Sequence, residues 1–108
     1  MVLYHKSNPD NRDSILSKGL IPMVGDCYAA YWDKPKDKLK PYVFLYDNNI
    51  IEYNSTYDDD IFEIDINQLD KNHLKKDICK TLKGCFIYDL IIPISAIKLV
   101  YQGSGISE

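Results

Sequence analysis

A chain of 108 residues with a formal net charge of −3 has room for one hydrophobic core and not for a second domain. Its acidic balance argues against extensive nucleic-acid binding, which needs a basic face to neutralise phosphates, and no apolar run approaches the ~20 residues that cross a bilayer. Three cysteines, Cys27, Cys79 and Cys85, stand in neither metal nor redox spacing, and the N-terminus has no leader-like pattern, so the expectation is a cytoplasmic protein with reduced thiols and no metal site.

In chain order, Leu3-Tyr4-His5-Lys6-Ser7 predicts a first strand, with Leu3 and His5 on one face and Tyr4 and Lys6 on the other. His5 is one of two histidines; the other, His73, lies in a polar segment. Asn8 followed by Pro9 predicts a helix start, because asparagine accepts from exposed amides and proline tolerates the first helical position. That helix runs to about Lys18, turns Ile15 and Leu16 inward with Leu20, and stops at Gly19. Ile21-Pro22 returns the chain to an irregular aromatic stretch from Cys27 to Trp32. Lys34, Lys36, Lys38 and Lys40, beside Pro35 and Pro41, read as a solvated loop or a local phosphate contact.

Tyr42-Val43-Phe44-Leu45-Tyr46 predicts the second strand, Val43 and Leu45 facing one way and the three aromatics the other. A short helical turn over Ile50 to Tyr53 and a polar loop follow. Ile61 to Ile66 alternates as a strand with one wet side, and residues 67 to 82 suit an irregular or helical excursion over the sheet. Cys85 to Ile92 reads as a strand long enough to pair with 61–66, Pro93 ends it, Ser95-Ala96 turns, and Ile97 to Tyr101 is a last short strand. Residues 103–108 are expected to fray. The pattern is an α+β domain over 1–102, mainly antiparallel sheet with one clear N-terminal helix. Nine tyrosines against three phenylalanines supply stacking surface with polar tips.

Five blocks in order carry a family resemblance: Leu-Tyr-His-x-Ser; Ile-Leu-x-x-Gly-Leu-x-Pro; Val-Phe-Leu-Tyr; Ile-Phe-Glu-Ile-Asp-Ile; and Phe-Ile-Tyr-Asp with Ile-Pro-x-x-Ala-Ile-Lys-Leu-Val. Over 3–22, 42–47, 61–70 and 85–101 the chain resembles the ADP-ribosyltransferase-like fold, the superfamily of diphtheria-type toxins, poly-ADP-ribose polymerases and RNA 2′-phosphotransferases. The resemblance implies a split sheet gripping NAD or an ADP-ribose-containing nucleotide, and, if the chain is an enzyme, transfer of ADP-ribose to a macromolecule such as a protein target. It assigns His5 to the adenine-side ribose hydroxyl and Lys6 to the nicotinamide end, where a glycine is common. Ser7 falls to the ribose or the helix start, and Arg12 to the diphosphate. Stacking on nicotinamide falls to Tyr46, with Tyr28 and Tyr31 as further candidates, so that His5 and Tyr46 form the expected catalytic pair.

Cleavage of a nicotinamide–ribose bond builds positive charge on the ribose, which a carboxylate stabilises. In the family pattern that acid precedes the Phe-Ile-Tyr-Asp strand, where this chain has Gly84; Glu63, Asp65, Asp47 and Asp89 are the substitutes to test. The phosphotransferases use arginines instead, and Arg12 is the only arginine here. The alternative is a non-catalytic protein-interaction module on the same scaffold, for example a phage-encoded or toxin-associated inhibitor, with tyrosines as interface anchors.

Overall fold

Asn8 opens the first helical segment by accepting a hydrogen bond from the Asp10 amide at 2.9 Å, and Pro9 follows at once. In the computed structural model, which describes residues 2–24, 39–47, 57–76 and 85–106, strand β1 (Leu3–Ser7) leads into a 3-10 turn at Pro9–Asn11 and then helix α1 (Arg12–Lys18). Gly19 stops the helix with φ of 85° while its N–H reaches Ile15 O at 2.9 Å. A β-carbon there would lie 2.3 Å from Ile92 O, so this glycine is also what lets Leu20 and Ile92 exchange their bridging hydrogen bonds.

The remaining strands are β2 (Val43–Tyr46), β3 (Tyr57–Asp58), β4 (Asp60–Ile64), β5 (Leu74–Lys76), β6 (Cys85–Tyr88), β7 (Ile97–Tyr101) and β8 (Gly105–Ile106). Six of them form one antiparallel sheet in the order β5-β6-β2-β1-β4-β7, and β3 pairs separately with β8. The result is an α+β domain. Directly opposed residues on antiparallel strands share a face. The pairs Leu3↔Ile64, His5↔Phe62 and Val43↔Tyr88 therefore lie on the face where Leu3, Val43, Leu45, Phe62 and Ile64 bury themselves with Ile15 and Leu20. Burial of these side chains, each contributing roughly 1.5–3 kcal/mol, is the main force holding α1 to the sheet.

Three sequence expectations change. Cys85 to Ile92 does not pair with 61–66: β6 ends at Tyr88 and lies between β2 and β5, while β4 lies between β1 and β7. Asp89, the next residue, turns its carboxylate to His73 Nδ1 and Lys40 Nζ, each at 2.7 Å, and Ile92 leaves the sheet for Leu20. The 67–82 segment contains β5, preceded by a 3-10 turn at Ile66–Gln68 capped by Asp65. The turn expected at Ile50 to Tyr53 lies outside the described residues.

The third change concerns the C-terminal segment. Gly103–Ile106, expected to fray, is held: Gly103 N–H donates to Asp60 at 2.8 Å, and Ser104 donates to Asp58 through its amide at 3.0 Å and its hydroxyl at 2.8 Å. A β-carbon on Gly103 would lie 1.9 Å from Asp58 O, so only glycine permits this approach. Asp60 is fully buried and takes both arms of Arg12, Nε at 2.8 Å and Nη2 at 2.7 Å, while the same Nη2 donates to Gly103 O at 3.0 Å. Burial pushes the Asp60 carboxyl up, but Arg12 and the Gly103 amide outweigh it and hold it below the ordinary aspartate range.

A group so depressed contributes stability that is complete above the ordinary aspartate value and lost as pH falls through the lowered one. Asp60→Asn is expected to cost roughly 3 kcal/mol in urea unfolding at neutral pH, and to lose less further stability on acidification than the parent. Equal stability of the two proteins at neutral pH would refute a structural role for this pair.

Candidate functional site

The two central strands of the sheet are unequally joined. β1 runs in register with β4 from Leu3↔Ile64 to Ser7↔Asp60, yet meets β2 at Tyr4↔Tyr46 alone. Beyond that pair the strands part, and the His5 ring fills the gap: its Nδ1 lies 2.8 Å from Phe44 O, a carbonyl that would otherwise face a lost ladder partner.

A carbonyl only accepts, so Nδ1 carries the hydrogen. Burial lowers the His5 pKa, against a smaller upward pull from the Phe44 carbonyl, so the ring is neutral at neutral pH and Nε2 presents a lone pair. Nε2 has no hydrogen-bond partner among the described residues and is not a buried orphan atom. His5 is among the residues that line the adjoining cleft of about 410 Å³.

The polar lining of this cleft comes from the end of β1 and the start of the helical segment: His5, Ser7, Asn11 and Ser14. Asn11 Nδ2 donates weakly to Ser7 Oγ at 3.4 Å. The apolar lining includes Ile15, Leu20, Met23 and Val43, and Met23 and Tyr42 exchange backbone hydrogen bonds at 3.2 and 3.3 Å. Tyr42 also lines the cleft. Its ring stands edge-on to Phe44, centroids 6.4 Å apart at 75°, with the Lys40 ammonium 5.7 Å from its centroid. No charged side chain among the described residues lines the cleft.

Of the residues expected to form a site, His5 and Ser7 meet here. Tyr46 does not. Because it opposes Tyr4, it shares the face of Tyr4 and Lys6, opposite His5, and neither Tyr46 nor Lys6 lines the cleft. The expected His5–Tyr46 pair is thus replaced by His5 with Tyr42, which lies past the single β1–β2 pair where the strands separate. Arg12, expected at a diphosphate, is bound to Asp60 and Gly103. Tyr28, Tyr31, Gly84, Lys34, Lys36 and Lys38 lie outside the described residues.

Nor does a substitute acid line the cleft. Glu63 opposes Tyr4 and so shares the far face. Asp65 caps the turn at Ile66–Gln68, Asp89 holds His73 and Lys40, and Asp47 is not among the lining residues. Sequence alternation groups Tyr42, Phe44 and Tyr46 without distinguishing them; in the fold Tyr42 and Phe44 line the cleft and Tyr46 does not.

Among the described residues no helix is long and apolar enough to cross a membrane, and no cluster of metal-ligating side chains occurs. Comparison with family models, with curated proteins and with solved structures finds no match to this chain.

Nitrogen-15 NMR of the His5 imidazole is expected to show hydrogen on Nδ1 and a bare Nε2 at neutral pH, with titration below the ordinary histidine range. A hydrogen on Nε2 instead would overturn the acceptor role of this ring.

Proposed function

We propose that the His5 cleft binds a nucleotide of the ADP-ribose type, NAD or ADP-ribose itself, in line with the resemblance of the chain to the ADP-ribosyltransferase-like fold. The observation that carries this proposal is the neutral imidazole wedged into the split between β1 and β2, its Nδ1 fixed by Phe44 O and its ring, with a lone pair on Nε2, lining the cleft. A lone pair in that position accepts from a hydroxyl, and a ribose supplies hydroxyls.

Tyr42, braced by Phe44 and Lys40, offers a ring face or edge to a planar heterocycle. Ser7 and Asn11 join His5 in the polar lining for a second hydroxyl. These residues bind and orient. Transfer of ADP-ribose requires in addition a carboxylate facing the charge that develops on the ribose, a part that Glu63 and Asp65 do not fill from their positions, so binding is the activity proposed for the described residues.

Isothermal titration with NAD and with ADP-ribose tests the proposal. His5→Phe keeps an apolar ring but removes the acceptor, and is expected to weaken binding about tenfold, the equivalent of one hydrogen bond of roughly 1.4 kcal/mol, in protein whose circular dichroism matches the parent. Affinity is expected to be flat above the depressed His5 pKa and to fall below it, where Nε2 gains a hydrogen and no longer accepts. Undiminished binding by His5→Phe would remove the site. Absence of heat with both ligands would favour the protein-interaction alternative, for which the exposed Ile21, Met23 and Ile91 provide apolar surface.

A further inference from the structure

We infer that Gly103–Ile106 is a strap whose attachment controls the His5 cleft: seated, it fixes the first turn of α1 in the place the cleft needs, and unseated, it lets that turn pivot and weakens the ligand. The inference rests on the ADP-ribose-type reading of the cleft for its ligand and adds to it a control by a segment of which no residue lines the cleft.

The strap joins the body through polar contacts gathered on two carboxylates, Asp58 in β3 and Asp60 at the start of β4. Asp58 accepts from the Ser104 amide at 3.0 Å, from the Ser104 hydroxyl at 2.8 Å and from the Tyr101 hydroxyl at the end of β7. Asp60 accepts from the Gly103 amide at 2.8 Å, and the pairs Asp58↔Gly105 and Tyr57↔Ile106 continue the attachment along β3. Gly103, Ser104 and Gly105 bring no apolar side chain to this contact, and Ser104 is exposed. A segment held by hydrogen bonds more than by buried apolar surface opens at lower cost than the core. The fit is also close. A β-carbon on Gly103 would stand 1.9 Å from Asp58 O, so the strap is either seated or off.

The route from strap to cleft is one guanidinium. Arg12 Nη2 donates to Asp60 Oδ1 at 2.7 Å and to Gly103 O at 3.0 Å, and the Gly103 N–H returns to the same Oδ1 at 2.8 Å. The three groups close a ring in which each contact fixes the other two. Arg12 is the first residue of α1, and Asn11 before it and Ser14 and Ile15 after it line the cleft. When the strap leaves, Arg12 keeps Asp60 but loses Gly103 O, so the first turn of α1 is held at a single carboxylate.

The seated state is the resting one. Tyr101, and after it Ser104, hold the Asp58 carboxyl below the ordinary aspartate range. Burial pushes Asp60 up, but Arg12 and the Gly103 amide bring it below that range too. Both are therefore ionised at neutral pH, and hydrogen bonds to an ionised acceptor are about twice as strong as neutral ones.

Gly103→Ala unseats the strap without altering any residue that lines the cleft, and the double variant Tyr101→Phe, Ser104→Ala removes two of the hydroxyls that hold it. Amide hydrogen exchange of the intact chain without ligand, and calorimetric titration with NAD and with ADP-ribose, read the two halves of the inference. In Gly103→Ala the amides of Ser104 to Ile106 are expected to exchange about tenfold faster or more. Those of Leu16 to Lys18, which bond back to the first turn of α1, are expected to follow by about fivefold, while β1 and β4 keep the parent rates. Affinity is expected to fall about fivefold, in proportion to the fraction of chains with the strap seated. The double variant is expected to move the same readouts in the same direction by about twofold, and it decides the matter if Gly103→Ala unfolds the whole chain. Faster exchange in the strap with either α1 or the affinity unchanged overturns the inference and leaves the ADP-ribose reading in place. If the parent binds neither ligand, the ADP-ribose reading falls, and the exchange rates of α1 alone decide whether the strap controls the helix.

Discussion

A buried carboxylate organises this protein. Asp60 has no solvent exposure, and a charge so placed is tolerated only when paired and hydrogen-bonded. Arg12 meets it with two arms and Gly103 with a backbone amide. The three belong to the first turn of α1, the start of β4 and the segment after β7, parts of the chain 48 and 91 residues from Arg12 in sequence. Satisfying one carboxylate thereby sets the helix onto the sheet and ties down the C-terminal segment, with Asp58 adding contacts to Tyr101 and Ser104.

The candidate site inherits its shape from that brace. Asn11 and Ser14, in its polar lining, flank Arg12 in the chain, so the position of Arg12 against Asp60 determines how far α1 stands from the end of β1. The position of Tyr42 depends on a second, more exposed set of contacts. Asp89 receives both Lys40 and His73, whose hydrogen bonds lower its pKa, Lys40 foremost, and Lys40 in turn lies over the ring of Tyr42. Pairs of this kind at a surface contribute little to stability; their effect here is to keep an aromatic side chain in one place.

Beside the cleft the sheet is deliberately incomplete. β1 satisfies β4 along its length and β2 at one residue pair, and the histidine ring supplies a donor to a carbonyl the ladder has left. A single substitution of the ring for a backbone partner both opens the cleft and orients the group that faces it. The same contact explains why the imidazole holds its hydrogen on Nδ1, and hence why its free nitrogen accepts rather than donates.

Much of the local structure was legible in the residues. Asn8-Pro9 and Gly19 bound the helical segment because capping and left-handed backbone are properties of single residues and their neighbours, and the strands at Leu3, Val43, Ile61 and Ile97 follow from alternation, which needs no partner. His5 was legible as a strand-end histidine turned toward the buried side of Leu3. Pairing was not. That β6 joins β2 and not β4, that Tyr42 and not Tyr46 reaches the cleft, and that Arg12 serves Asp60 and Gly103 are each decided between segments far apart in sequence. Period and propensity are short-range, whereas register and charge pairing are chosen by which long-range arrangement leaves no buried charge alone and buries the most apolar surface; the chain determined by itself most of its elements, while Leu16, expected to turn inward with Ile15, is exposed, and only the folded whole decided which sides are buried and which of them face one another.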